Sequence, residues 1–239
     1  MSGFVLKGAL VEFMPTFLPV PLPNVIVFQY NPETMTHTWT QPEPAYGSET
    51  ETSNPFAVQG MPGESFSFSI SMDSNEDIAA GLQPTAALAQ ASGLYSRLAA
   101  LEMLLYPAGP GQSGLTGAVS AAIEAGLSGG SPGATRAAPQ SVMPVTLFIW
   151  GAGRIVPVRL TELTITEKLY DSALNPTHAE ARIDLRVLTP DELTAASTDN
   201  QVLGNLAIVA YTYTLTLREA LAVANLGNAV QSVIGMLPH

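Results

Sequence analysis

Three histidines are the residues of this sequence best suited to acid–base or metal chemistry; they are His37, His178 and His239. A metal site or a catalytic triad needs convergent partners, so such a histidine requires a second histidine or a carboxylate at a suitable spacing. His37 lies in the polar segment THTWT, His178 lies beside a turn, and neither has such a partner nearby in sequence. We therefore expect surface histidines, no metal site and no cofactor.

Four acidic residues around one predicted strand are the other candidates for chemistry; they are Glu64, Asp73, Glu76 and Asp77. Paired carboxylates carry out glycoside hydrolysis, and oxygen-rich loops bind calcium. The segment DSNED lacks the alternating Asp and Asn spacing of a calcium loop, and it is typical of turn and capping residues ahead of a helix. We expect no catalytic residue here, and we predict that the chain is not an enzyme.

The segment GAGRIV, which begins at Gly151, is similar to part of a nucleotide-binding fingerprint. That fingerprint needs a third glycine and opens a helix. Here Val156 takes the place of the third glycine, and the residues that follow have the composition of a strand. The segment therefore predicts a turn between two strands.

The composition excludes several classes of partner. The chain has 239 residues, no cysteine and nine scattered basic residues against 20 acidic ones, for a net charge of −11. The absence of cysteine fits a reducing cytoplasm, and the charge argues against nucleic acid. We predict no secretory signal, and the apolar stretch from Val202 to Leu217 is interrupted by Asn205 and three threonines. Direct membrane insertion is therefore not expected.

Charged residues make up only 12% of the chain, about half of the roughly 25% that is usual for soluble domains. Because the cores of protein interfaces are depleted of charge, this composition predicts that other subunits cover much of the surface. A neutral surface rich in serine and threonine is the alternative.

The chain is predicted to be mainly β, with six to eight strands in a barrel or sandwich. Apolar Phe66, Phe68, Ile70 and Met72 alternate with Ser65, Ser67, Ser69 and Ser71, which predicts a strand with one face in the core. We expect the serine face to line a lumen or to contact another subunit. The remaining predicted strands lie at 4–13, 24–30, 34–40, 144–151, 154–170 as one long or two short strands around Pro157, and 179–188. Residues 163–170 and 179–188 are predicted to form a hairpin.

Two helices are predicted. The first covers 85–106 with a leucine stripe, and the second covers 201–221 with its apolar side at Leu203, Leu206, Val209, Tyr213, Leu217 and Leu221. A strand at 208–217 is the alternative to the second helix, because IVAYTYTLTL has high β propensity. The tail at 224–239 is predicted to be a further short helix or a docking segment. Residues 108–140 are rich in Gly, Ala and Ser and are predicted to be a loose insertion.

The segment VFQYNPETMTHTW resembles one near the start of tube-type proteins of contractile injection systems, the phage-tail-like particles of bacteria and archaea. Trp39 takes the place of the aromatic residue that follows in that family. The strand MPVTLFIWG also resembles a strand of the family, at Pro144 among others. The resemblance covers about residues 4–190 and loosens in the hairpin after that strand. The matched family-motif residues, which the resemblance implies are structural, are Phe28, Gln29, Tyr30, Asn31, Pro32, Glu33, Leu147, Phe148, Trp150 and Gly151.

The resemblance implies a tail-tube-like β-barrel or sandwich at 1–190, with one inserted helix. The residues that follow, at 191–239, are predicted from their own pattern to form a helical C-terminal extension. It also implies a six-fold ring of copies that contacts tube, spike and baseplate proteins. Longer members carry a C-terminal LysM-like domain, which we do not expect here because only about 50 helical residues follow Leu188. The implied location is a particle assembled in the cytoplasm that then acts as an extracellular or cell-associated machine.

The function implied is a tube initiator or adaptor where the inner tube meets the baseplate or spike. A repeating inner-tube subunit is the alternative in the same class, although the length and the insertion favour the adaptor. A glycan- or peptidoglycan-binding β-protein that works alone is the alternative of another class, and it would require exposed aromatic residues in a groove.

Salt is predicted to favour ring formation. Six copies bring six charges of −11 together, and this repulsion opposes assembly until counter-ions screen it. Sedimentation velocity at rising sodium chloride concentration should show a growing fraction of assembled protein. Assembly that weakens as salt rises would contradict this account of the charge.

Overall fold

The computed structural model describes residues 6–14, 22–42, 60–81, 85–106, 145–196 and 201–234. The described strands form one antiparallel seven-stranded sheet of order β2-β1-β5-β6-β7-β4-β3, and five helices accompany it. The prediction of a mainly β fold with some helix is confirmed. The strands are β1 Ala9–Met14, β2 Leu22–Val27, β3 Met35–Thr40, β4 Gly63–Asp73, β5 Thr146–Ile149, β6 Ile155–Tyr170 and β7 Pro176–Val187. The helices are α1 Ser74–Ala80, α2 Thr85–Ser92, α3 Tyr95–Met103, α4 Pro190–Ala196 and α5 Gln201–Ile234.

The sheet is strongly rolled. Strands β2 and β4 occupy the first and sixth places in the sheet, so a flat sheet would hold them roughly 24 Å apart at ~4.8 Å per strand. Instead, the ring centroids of Phe28, just after β2, and Phe68 in β4 are 5.5 Å apart. One face of the sheet therefore wraps around the main core. The two outermost strands, β2 and β3, do not pair with each other in the described part of the chain.

The inner face of the sheet holds the main core. Along β4 the side chains of Phe66, Phe68, Ile70 and Met72 are all buried, which confirms the predicted alternation. Phe148 of β5 lies at the centre of the aromatic group, with ring centroids 5.2 Å from Phe66 and 5.5 Å from Phe68. Strand β5 is buried on both faces, because its Leu147 packs in a second small core with Val11 and Ala210.

The predicted helix 85–106 is wrong as a single element. Two helices, α2 and α3, are separated at Gly93, whose φ of +56° is costly for residues other than glycine. At Gly93 a Cβ would clash with the backbone carbonyl of Pro176. The neighbouring Leu94 donates its N–H to that same carbonyl at 2.8 Å. Contact with the start of β7 therefore breaks the helix, although Leu98 and Leu101 of the predicted stripe are buried as expected.

The predicted hairpin of residues 163–170 with 179–188 is confirmed by the pairing of β6 with β7. The segment after Arg154 is one long strand, and Pro157 lies within it opposite Leu147 of β5. A register shift between Leu160 and Glu162 accommodates the length of the strand. Such bulges add local twist, which suits a rolled sheet.

The helix favoured for the C-terminal region is confirmed over its alternative, a strand at 208–217. Helix α5 also continues to Ile234, which is longer than predicted. The predicted apolar side is wrong except at Leu203, because Leu206, Val209, Tyr213 and Leu221 are exposed; the helix buries the side chains of Leu203, Ala207, Ala210, Tyr211 and Thr214. Small alanines allow close approach to the sheet, and the Thr214 hydroxyl accepts from the Ile155 N–H at 3.1 Å and donates to its carbonyl at 2.7 Å.

The first strands begin or end elsewhere than predicted. Strand β1 starts at Ala9, and β2 begins at Leu22 and ends at Val27, earlier than the predicted 30. The predicted insertion 108–140, most of the loop predicted at 41–63 and residues 235–239 of the tail lie outside the described residues.

Glu12 is a buried carboxylate on the inner face of β1, with only 2% of the residue exposed. Asn24 of β2, directly opposite, donates its side-chain N–H to Glu12 Oε2 at 3.0 Å. Burial raises the pKa of Glu12 above its ordinary value, and the hydrogen bond from Asn24 opposes part of that rise. Because its folded-state pKa is raised, Glu12 favours the folded state most when protonated, and this stability is lost as the pH rises through the folded-state pKa.

Glu12→Gln is therefore expected to raise the free energy of unfolding at about pH 7 by about 1 kcal/mol, because an amide is buried in place of a charge. The gain should vanish below pH 4.5, the ordinary pKa of the side chain, since wild-type Glu12 is then protonated in both states. Urea unfolding of both proteins at about pH 7 and below pH 4.5 measures this gain in the free energy of unfolding. Glu162→Gln, at an exposed carboxylate of β6, is the matched control and should change stability by less than about 0.5 kcal/mol. An equal gain at both pH values would contradict the assignment.

Candidate functional site

Gln29 joins two parts of the rolled sheet that are distant along the strand order. Its side-chain amide is almost fully buried, accepts from the Asp73 N–H at 2.8 Å and donates to the Asp73 carbonyl at 2.8 Å. The same amide nitrogen donates to Glu76 Oε2 at 2.8 Å. The amide thus pairs with the end of β4 as a peptide group of a neighbouring strand would.

Asn31 makes the corresponding connection to the start of β1. Its Oδ1 accepts from the Gly8 N–H at 2.9 Å, and its Nδ2 donates to the Leu6 carbonyl at 2.8 Å. Between the two amides, the Tyr30 ring is 45% exposed. Hydrogen bonds lower the pKa of Glu76; the larger contribution comes from the Tyr30 hydroxyl and the smaller from the Gln29 amide. Of the matched residues after β2, Gln29 and Asn31 therefore make structural connections and Phe28 fills the core.

Pro32 and Glu33 complete that segment, half-buried and exposed respectively. The second matched segment runs through β5 into the turn after it. Trp150 packs against Phe28 and Phe148, with ring centroids 6.5 and 6.1 Å apart respectively. The backbone N–H of Trp150 donates to the Arg154 carbonyl at 2.8 Å, and Gly151 has a φ of +68°. This confirms the predicted turn between two strands.

The four acidic residues considered for catalysis do not come together. Glu64 and Asp73 lie at opposite ends of β4, roughly 30 Å apart at ~3.3 Å per residue. Asp73 caps α1 by accepting from the Asn75 N–H at 2.8 Å, as its capping role predicted. Glu76 belongs to the Gln29 network at that end, and the side chain of Asp77 lies outside the description.

The prediction that His37 is an unpartnered surface histidine is wrong. Its Nε2 lies 2.8 Å from Glu64 Oε1, and since a carboxylate only accepts, Nε2 carries the hydrogen. Arg218 of α5 donates to both oxygens of the same carboxylate, at 2.9 and 2.6 Å. His178 is also near a carboxylate, with Nδ1 3.8 Å from Asp73 Oδ2, and His239 lies outside the described residues.

The partners of Glu64 were missed because they are 27 and 154 residues away in sequence. One signal was available. Glu64 is two residues from Phe66 in β4, and alternate residues of a strand point to the same face, so its side chain must point to the core. A charge on that face needs partners.

The four serines of β4 lie on the outer face of the sheet. Ser69 is exposed and Ser65, Ser67 and Ser71 are half-buried. Their cross-strand neighbours on β7 are charged, namely Arg186, Asp184, Arg182 and Glu180 in order along β4. The face is therefore polar, and its role at a lumen or subunit contact stays a prediction.

The outermost strands present unpaired edges in the described part of the chain. Strand β3, with sequence MTHTWT, contains no Lys, Arg, Asp, Glu or Pro. Natural proteins use such residues to prevent pairing at open edges. Strand β2 contains Pro23, which lacks a donor, and exposes half of Val25 and half of Val27. Edge β3 therefore has the features of a strand that pairs with another chain.

Helix α5 exposes a second apolar stripe beside its packed side, at Val202, Leu206, Val209 and Tyr213, which are 40–63% exposed. The spacing of four, three and four residues is that of helices that pack against other helices. Only Arg218 and Glu219 are charged among the 34 residues of α5. From Glu219 to Leu226 every side chain is exposed, including Leu221, Val223 and Leu226.

By length and composition, the part of α5 at Val202–Leu226 is also apolar enough to cross a membrane. Its first half packs on the sheet, as a helix of the folded domain does. The expectation that the chain does not insert into a membrane stays a prediction.

Among the described residues, no group of three or more His, Asp or Glu side chains is arranged to hold a metal ion. A scan against protein-family models finds no match for this chain, and no curated protein matches it. The functional proposal therefore depends on the geometry above and on the sequence resemblance.

Gln29→Ala is expected to lower the free energy of unfolding by about 2–4 kcal/mol, because it removes the hydrogen bonds to Asp73 and Glu76 and a longer one from Arg97, and leaves the Asp73 N–H without its acceptor. Urea unfolding at neutral pH measures the change. Glu33→Ala, an exposed substitution in the same segment, is the control and should fall within about 0.5 kcal/mol of wild type. If both variants unfold at the same urea concentration, Gln29 does not hold the rolled sheet together.

Proposed function

We propose that this chain is a structural subunit of a contractile injection system, which forms a ring with copies of itself where the inner tube meets the baseplate or spike. The observation that carries the proposal is the exposed apolar stripe of α5, in a helix with two charged residues among 34. Contiguous apolar surface of this kind marks an interaction site. The system and the position at the tube junction come from the resemblance of the FQYNPE and LFIWG segments.

The open edges support assembly by a second route. In the ring, β3 of one copy pairs with an edge of the next, so that the barrel closes between copies and no uncharged edge stays exposed. A contact between two different surfaces repeats from copy to copy, and it closes into a ring when the rotation between copies divides a full turn. The six-fold number comes from the resemblance alone. A repeating inner-tube subunit is the alternative within this class.

The neutral α5 and the uncharged β3 also fit the charge of the chain. Copies that each carry −11 repel one another over most of their surface. Contact through surfaces without charge keeps the acidic groups apart. The stripe on α5 and the edge of β3 are therefore the two surfaces through which like-charged copies approach at the lowest electrostatic cost.

Val209→Glu is expected to weaken self-association about tenfold, because it places a charge in the centre of the α5 stripe, where the side chain is 63% exposed in the isolated chain. Sedimentation equilibrium measures the dissociation constant. Ala99→Glu adds the same charge at an exposed position of α3 and should leave assembly unchanged. Both variants should keep the thermal stability of the folded chain.

Wild-type protein that stays monomeric at high concentration would contradict the proposal. A monomer that binds peptidoglycan would favour the glycan-binding alternative, and binding to lipid vesicles that is lost in Val209→Glu would assign the stripe to a membrane.

A further inference from the structure

A cationic cluster lies at the end of the sheet where β4 begins. Glu64, only 4% exposed, is held by Arg218 and His37. A second arginine, Arg154, lies in the turn between β5 and β6 with its guanidinium carbon 5.1 Å above the centre of the Phe66 ring. One guanidinium group thus binds a buried carboxylate and a second lies near enough to interact with it electrostatically, in a chain with only nine basic residues.

The two arginines differ in their partners. Arg218 is neutralised by two hydrogen bonds to Glu64, and its guanidinium carbon lies 4.8 Å from the centre of the Trp39 ring. The guanidinium of Arg154 has no hydrogen bond or ion pair within the described residues. Its contact with Phe66 fixes its position without neutralising its charge.

The charge of the cluster is unbalanced by one. Arg154 and Arg218 contribute two positive charges and Glu64 one negative charge. The pKa of Arg154 is lowered mainly by burial and then by the nearby Arg218, as expected for a partly buried cation beside another cation. Burial also lowers the pKa of His37, so it adds no charge at neutral pH. The described cluster therefore carries a net charge of +1, which a bound monoanion would neutralise.

We propose that Arg154, beside the Glu64–Arg218 ion pair, is a binding site for a single carboxylate group. A monoanion brings the cluster to neutrality, whereas a phosphate dianion would leave an excess negative charge beside Glu64. The planar guanidinium fork matches a carboxylate, which accepts two parallel N–H donors. Because Trp39 is 48% exposed and Arg154 partly so, the site is open to solvent.

Two sources supply this chemistry. One is an Asp or Glu side chain of a second copy, since each chain carries 20 of them. The other is a small organic acid. Neither source requires the ring or the injection system, because Arg154, Glu64 and Arg218 all belong to a single chain.

The test compares thermal unfolding of the full chain in sodium acetate, sodium phosphate and sodium chloride at equal ionic strength. In wild-type protein, acetate at ten times its dissociation constant should raise the Tm by about 3 °C above chloride, and the rise should saturate. Arg154→Gln should abolish this rise. Arg159→Gln removes an exposed guanidinium from the neighbouring strand β6 and should keep it.

Sedimentation of the same variants distinguishes the two sources. If the carboxylate belongs to a second copy, Arg154→Gln also weakens self-association, whereas a site for small acids leaves self-association unchanged. Equal rises in acetate and phosphate, or an acetate effect that persists in Arg154→Gln, would overturn the proposal. If acetate does not raise the Tm of the wild-type protein while its self-association is normal, the carboxylate site is refuted and the assembly proposal stands, so the two fail separately.

Discussion

A sheet that rolls until its first and sixth strands approach each other leaves backbone groups there without ladder partners. In this protein the Gln29 amide supplies the missing partner, because it accepts from the N–H and donates to the carbonyl of Asp73. Asn31 does the same for Gly8 and Leu6 at the start of β1. The aromatic core around Phe148 depends on this arrangement, since the rings of Phe28 and Phe68 meet only if the sheet stays rolled.

The close approach also explains why small residues occur where they do. A Cβ on Gly8, just before β1, would lie 2.7 Å from the Trp150 ring and 2.8 Å from the Phe28 ring. Only glycine therefore fits at this position against the core. At the other end of β4 from Asp73, Glu64 is held by Arg218 from the long C-terminal helix. The Gln29 amide thus connects the end of β4 to the segment after β2, and an ion pair connects the start of β4 to α5.

Sequence periodicity predicted the parts of the fold that depend on local pattern. The alternation in β4 and the β6–β7 hairpin follow from residues close together in the chain. The break at Gly93 does not, because its cause is a carbonyl of Pro176 that is distant in sequence. The packed side of α5 was mispredicted because alanines and Thr214 contact the sheet while larger Leu206 and Val209 remain exposed. Likewise, the pairing of His37 and Arg218 with Glu64 depends on tertiary contacts that no local pattern encodes.

The distribution of charge connects the fold to the proposed assembly. Strands β6 and β7 each carry four charged residues, whereas β3 has none and α5 has only two. An edge strand without charge and a long helix with two charged residues, both seen in the described part of the chain, suit a surface that other copies cover better than one exposed to solvent. Electron microscopy of the purified full-length chain at high concentration and moderate salt tests this most directly. We expect annular particles in which β3 and α5 lie at the contacts between copies, and a uniform field of single monomers under these conditions would contradict the proposed assembly.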